Sequence, residues 1–330
     1  MVDTLTRLAG PTIPAKGEAG TTIYDPSTGT IVIRNATFTN VHAGRGAWAH
    51  LSIGDMTVPA NRIISGLYVP PGETIVVPLD LVMAGATEDI RARQIVDQAG
   101  TAMNPASATA LIADSTDATT YTTATWTAIS GAEYLLFAYA RAATTPAISS
   151  FTDTHSGITW TLVDSVTGLL ASNIGKLVCY RAHSTGTTNT TTAVVWTATM
   201  QCGFVSIISL EGGDASGTHG SECIQKSGAA YRPTTSTTVE VFGALHCGGR
   251  VFAGSNQQST GATTAGGGFT EIHDGTTATP ATAFESSYSL QPGFYGAGLF
   301  TTGVERLALL VNIQDDVDVL NVTLNGVVVT

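Results

Sequence analysis

The residues of this chain whose types and spacing could do chemistry are few, and most suit binding better than bond-making. Asp153 and His155 lie two apart, so on a strand they share one face and supply half of a metal site. The ordinary alternative is a polar strand edge beside the Ser156-Gly157 turn. Asp315, Asp316 and Asp318 offer the oxygen ligands that Ca²⁺ takes, and a solvated acidic loop accounts for them equally well. His246 and Cys247 are adjacent, so on a strand they point to opposite faces and do not readily share an ion. Trp126, Trp160 and Trp196, with Tyr134 and Tyr139, could stack on sugar rings, although aromatics at strand spacing more commonly fill a core. Cys179, Cys202, Cys223 and Cys247 have no C-x-x-C spacing and read as small buried hydrophobes, with one disulfide as the alternative.

The catalytic motifs are missing. There is no G-x-S-x-G elbow, H-E-x-x-H, phosphate loop or EF-hand spacing. Gly266, Gly267 and Gly268 lead into a strand, whereas a phosphate cradle needs the amides of a following helix. Acidic residues are sparse on the predicted strands, which counts against the paired carboxylates of a glycosidase. The expectation is a non-enzymatic protein with no cofactor and no metal.

Composition narrows the class. The chain has 330 residues, enough for two domains, and 43% are hydrophobic, enough for a packed core. Only 12% are charged, about half the usual quarter. Thr, Ala, Gly and Val take their place, as in a chain that is mostly strand and tight turn. The net charge is −11, with seven basic and nine acidic residues up to position 104 and seven and sixteen after it. No basic run or stripe occurs, which argues against a nucleic-acid surface. No window holds the roughly 18 uninterrupted apolar residues of a membrane helix. Residues 1–7 lack the apolar run of a signal peptide, so synthesis in a cytoplasm is expected.

The elements that would carry these residues are read from turns and alternation. Residues 1–20 hold Gly10, Pro11, Pro14, Gly17 and Gly20 without a period, and are expected to be an extended arm. From residue 21 to about 99, short β-branched runs follow one another closely. Asp25-Pro26-Ser27-Thr28-Gly29 turns into a strand whose inward residues are Ile31, Ile33 and, after a break at Asn35-Ala36, Phe38. Pro70-Pro71-Gly72 repeats the device before Thr74, Ile75 and Val76. Gly29 and Gly72 are therefore the candidate structural turns. Trp48, His50 and Ser52 alternate with Ala49, Leu51 and Ile53. A composition shift at residues 99–117 marks the boundary between a domain at 21–104 and another at 105–330.

The second domain reads as a diverged internal duplication. Strands near residues 121–126, 133–139, 158–163, 176–180 and 203–212 recur in order near 238–242, 249–253, 268–272, 283–289 and 304–313, with a further strand near 193–197 in the first series. Two such halves would form one jelly-roll-like double sheet. The tail, residues 320–329, contains Asn325-Gly326 and predicts a hairpin.

On the two Pro-to-Gly turns and the strands behind them, residues 21–94 resemble the small N-terminal β-sandwich of many tailed-bacteriophage virion proteins. Residues 157–163, Gly-Ile-Thr-Trp-Thr-Leu-Val, are similar to jelly-roll or lectin-like modules of phage tails and bacterial surface proteins. The fold class expected is therefore all-β: a small N-terminal β-sandwich, then a larger jelly-roll-like sandwich with internal duplication. The resemblance implies a virion structural protein, a minor tail or tail-fibre-like component docked through its N-terminal domain. Capsid decoration is the alternative, and a carbohydrate-binding module the alternative from another class. The implied partners are other virion proteins, copies of the chain itself, and a host-surface glycan met through Trp126, Trp160 or Trp196.

Overall fold

Runs of Val, Ile, Thr and aromatic residues, cut at short intervals by Gly, Pro, Asn and Asp, dictate strands, and strands are what form. The computed structural model describes residues 6–14, 20–25, 30–43, 45–84, 89–96, 105–170, 173–210, 224–232, 238–240, 250–259, 269–289, 296–299, 305–313 and 320–329. Among them the only helical element is a single 3₁₀ turn, Pro59–Asn61. The protein is all-β, built of antiparallel sheets. It divides into two compact units, one holding the described residues 6–96 and 320–329, the other 105–313.

The first unit has seven strands from the start of the chain: β1 (Thr6–Thr12), β2 (Thr21–Tyr24), β3 (Thr30–Asn40), β4 (Ala47–Ile53), β5 (Arg62–Val69), β6 (Thr74–Ala84) and β7 (Ile90–Val96). The eighth is the last strand of the whole chain, β25 (Leu320–Val329). The sheets run β1-β25-β3-β6 and β2-β7-β4-β5. The pairs are nested, first strand with last, second with seventh, third with sixth, fourth with fifth. That nesting is the rolled-up hairpin of a jelly roll. Between the sheets lie Ile31, Ile33, Phe38, Leu51, Ile90, Val322 and Leu324. The inward parity of β3 changes from Ile31 and Ile33 to Ala36 and Phe38 because Arg34 is an unpaired bulge residue, next to the break expected there. Arg34 bonds Asp80, itself in a bulge of β6 and at φ 43, across 2.8 Å.

Three expectations change here. Residues 6–12 are not a free arm but edge strand β1, where Pro11 is tolerated because an edge leaves amides unpaired. The 320–329 segment is not a hairpin and does not belong with the second unit. It is one continuous strand between β1 and β3, with a register shift at Asn325-Gly326. Asn325 donates to the Asn35 side-chain oxygen at 2.8 Å, and a Cβ on Gly326 would stand 2.2 Å from the Val32 carbonyl oxygen. An Asn-Gly pair thus serves a bulge as readily as a turn when a partner backbone comes this close. A fragment of residues 21–104 would consequently lack two of the four strands of one sheet. Gly29 lies outside the described residues. Gly72 has φ 71, and the Glu73 amide donates to the Pro70 carbonyl at 3.2 Å, the arrangement of a type II turn.

The second unit contains two copies of one strand order. The first copy comprises β8 (Pro105–Asp114), β9 (Ala118–Thr122), β10 (Trp126–Ala128), β11 (Glu133–Ala142), β12 (Ile148–Asp153), β13 (Thr161–Leu170), β14 (Asn173–His183), β15 (Thr188–Thr190), β16 (Thr192–Met200) and β17 (Cys202–Leu210). The second comprises β18 (Ile224–Arg232), β19 (Thr238–Glu240), β20 (Arg250–Gln257), β21 (Phe269–Ala278), β22 (Ala281–Ser289), β23 (Gly296–Leu299) and β24 (Arg306–Ile313). One five-stranded sheet runs β8-β17-β11-β14-β13 and the other β18-β24-β20-β22-β21, position for position the same. The smaller pairing β9·β16 recurs as β19·β23. Even the single register shift in β13·β14, between Leu162 and Asp164, has its counterpart between Glu271 and His273 in β21·β22.

The duplication read from the sequence is present, but its geometry differs from the one expected. Each copy carries nested pairs by itself, β8·β17, β9·β16 and β11·β14 in the first and β18·β24, β19·β23 and β20·β22 in the second, rather than half of a jelly roll. The two five-stranded sheets then share a core of Phe137, Tyr139, Phe204, Phe252, Phe284 and Leu309 with their neighbours. The opposite face of the first sheet packs on β9, β12 and β16 through Leu136, Val178, Ile207 and Trp196. β11 and β17 are therefore buried on both faces along their whole length. The small-residue stretch at 106–112, within the composition shift at the domain boundary, lies in β8.

Two outcomes test the assignment of β25. Removing residues 317–330 should abolish the cooperative unfolding of the first unit and leave that of the second, read by hydrogen exchange. Residues 1–100 joined to 317–330 by a short flexible linker should fold, while residues 21–104 alone should not. Independently, Gln94→Met should destabilise the first unit by roughly 1–3 kcal/mol for each backbone group it strands, in denaturant titrations. Gln94 is buried, donates to the Pro14 carbonyl at 2.8 Å and accepts from the Leu320 amide at 3.0 Å.

Candidate functional site

The three tryptophans proposed for sugar contact do not form a platform. Trp126 on β10 and Trp196 on β16 are each 3% exposed and belong to the core between the sheets of the first copy. Trp126 meets Tyr134 edge-on at 5.0 Å, and its indole N–H donates to Thr192 Oγ1 at 3.2 Å. Tyr134 and Tyr139 are fully buried. Only Trp160 keeps accessible surface. It leans on Phe151, and its indole N–H donates to Asp153 Oδ2 at 3.0 Å.

Asp153 is the hub of a small polar network. Thr192 Oγ1 accepts from Trp126 and donates to Asp153 Oδ1 at 2.5 Å, so both carboxylate oxygens are taken. Burial pushes the Asp153 carboxyl above its usual range, and the bonds from Thr192 and Trp160 with the charge of His155 pull the other way. His155 lies beyond the end of β12. Its amide donates to Thr190 Oγ1 at 3.1 Å, and Nε2 sits 3.4 Å from Ser184 Oγ. Asp153 thus holds the Trp160 loop against β16. Among the described residues no group of three or more His, Cys, Asp or Glu side chains gathers to hold an ion. Asp315, Asp316, Asp318, His246, Cys247, Cys223 and the glycines 266–268 lie outside the described residues. Cys179 and Cys202 are free thiols buried in the shared core, where burial raises both thiol pKa values.

A better-formed concavity lies on the first unit, in a place the sequence only half revealed. On β4, Ala47, Ala49 and Leu51 face the core, so Trp48 and His50 stand on the outer face. Trp48 is paired with Tyr68 and His50 with Ser65 of β5, and Gly66 is the extra residue between those pairs. Gly66 has φ 77, the left-handed conformation that a glycine bulge needs. With no side chain there, the sheet opens into a cavity of about 190 Å³ lined by Trp48, His50, Ser65 and Gly66. Tyr68, 36% exposed, packs beside Trp48, its ring 5.0 Å from that of Trp48 and tilted by 50°. The Gly66 amide donates to His50 Nδ1 at 3.2 Å, which places the proton of a neutral imidazole on Nε2. The alternation of Trp48 and His50 against Ala49 and Leu51 was visible in the sequence. The bulge that makes a pocket beside them was signalled only by Ser65-Gly66 inside a strand.

Compared with protein-family models, with curated proteins and with solved structures, the chain matches none. Among the described residues no helix is long and apolar enough to cross a membrane.

The Asp153 network predicts a pH dependence. Because folding raises this carboxyl above its ordinary 3.8, the folded state holds the proton more tightly than the unfolded chain. The stabilisation is therefore complete below 3.8 and is lost as pH rises through the raised value. Asp153→Asn cannot titrate and loses about 1 kcal/mol at all pH values from one weakened hydrogen bond. Melting curves should show the variant gaining on the parent as pH rises through the acid range.

Proposed function

We propose that this chain is a non-enzymatic structural component of a virus particle, of the tailed-bacteriophage kind that its two Pro-to-Gly turns resemble. The observation that supports this most is the nested strand pairing, found once in the first unit and twice in the second. Double-sheet jelly rolls are a recurrent module of viral capsid and lectin domains. Such modules present rigid surfaces made by backbone ladders, and here the polar groups around Asp153 are used to hold loops in place. A low-charge, acidic chain also suits repeated packing against neighbours without adhering to nucleic acid. In this reading the first unit docks on other virion proteins and the second faces outward. A minor tail or tail-fibre-like position, in several symmetric copies, is preferred to capsid decoration. The carbohydrate-binding reading is favoured by a separate observation, the cavity at Trp48.

Quantitative mass spectrometry of density-purified particles tests the proposal. The chain should be present at a fixed ratio to the major capsid protein, and electron microscopy with a labelled copy should place it at the tail. A chain that stays in the soluble fraction while particles assemble without it would overturn the reading.

A further inference from the structure

We propose that the cavity between Trp48, His50, Ser65 and Gly66 is a binding subsite for one neutral hexopyranose ring. Size sets the first limit. About 190 Å³ is well below the roughly 300–1,000 Å³ of pockets for drug-sized ligands, and suits a single six-membered ring.

The lining sets the second limit. Among the described lining residues there is no carboxylate, ammonium or guanidinium, so none of them selects a charged ligand. Trp48 supplies an indole whose negative face attracts the weakly positive C–H bonds on one side of a pyranose. Ser65 Oγ, exposed at the mouth, supplies the polar contact that a ring hydroxyl needs, and the His50 ring forms a wall. A proline or aromatic ring of a peptide would displace water from the Ser65 hydroxyl without replacing its hydrogen bonds. A sugar ring replaces them.

The backbone sets the third. The cavity exists because Gly66 is a bulge residue, and a Cβ there would already stand 3.7 Å from Trp48 Cε3. The Gly66 amide also fixes the orientation of His50, so one bulge both opens the space and arranges a wall of it.

Saturation-transfer NMR and tryptophan fluorescence on the full chain test this, with the methyl glycosides of glucose, galactose, mannose and N-acetylglucosamine as probes. At least one should bind in the millimolar range expected of a single ring. Trp48→Ala should weaken it at least about tenfold, as should Ser65→Leu, which fills the mouth from an exposed position. Trp160→Ala, in the other unit, should leave it unchanged, and melting curves check that each variant is folded. If Trp48→Ala does not fold, Ser65→Leu decides. No binding of any neutral glycoside, binding indifferent to Ser65→Leu, or binding restricted to glucuronate, sialic acid or a proline-rich peptide would each overturn the proposal.

Discussion

A single buried amide ties the first unit together. Gln94 on β7 gives its N–H to the carbonyl of Pro14 and takes the N–H of Leu320, so it joins the end of the first strand, the seventh strand and the start of the last. Its two bonds span 80 and 226 positions in sequence. No local propensity can bring such residues together, and the sheet β1-β25-β3-β6 exists only once they meet. Closing so long a loop is less costly than its length suggests, because each doubling adds only about 0.6 kcal/mol. The second unit, with its own cores, further shortens the effective loop by folding within it. The cost falls on kinetics instead, since non-local pairing must precede its reward.

That constraint explains what could and could not be read in advance. Strands and turns are local, so Ile31, Ile33 and Phe38 were assignable to the inward face, and the turn at Gly72 was visible from Pro70-Pro71-Gly72. Asn325-Gly326 carries the same local signal whether it reverses the chain or bulges it. The deciding partner is β3, some 290 residues earlier. Residues 6–12 looked like an arm for the same reason. An edge strand with a glycine and a proline has little pattern of its own, and its identity comes from β25.

The candidate sites divide along similar lines. Trp126 and Trp196 were recognisable as aromatics on strands, but whether such a strand has one covered face or two depends on layers that alternation does not encode. β11 makes the point: Tyr134 to Tyr139 is an unbroken apolar run because both of its faces are covered, one by the second copy and one by the small sheet. At Trp48 the reverse holds. Half of the cavity is in the alternation of β4, while the other half is a bulge on β5 that becomes a wall only through the register Trp48–Tyr68 and His50–Ser65.

The two copies of the second unit have not diverged evenly, and the reason is mechanical. On the faces they share, both sheets present large apolar side chains, Phe137 and Phe204 from one, Phe252 and Phe284 from the other. Phe204 and Phe284 stack across that boundary at 5.7 Å. Ser206 of the first sheet bonds both Ser286 and His273 of the second at 2.9 Å, while buried Asn256 donates to the Ala283 carbonyl of its own sheet at 2.8 Å. A change of volume or polarity on one sheet of a close-packed interface must be answered on the other, so such a face varies slowly. The outward faces carry no such coupling to each other. In the first copy that face is Leu136, Ala138, Val178, Val205 and Ile207. In the second, Ala253 and Leu310 are interleaved with buried Ser255, Gln257, Glu285 and Arg306. The strand order and the hairpin bulge survive because they are set by the backbone ladder, the shared core because two surfaces must agree. What was free to change was the chemistry of the face that answers to one copy alone.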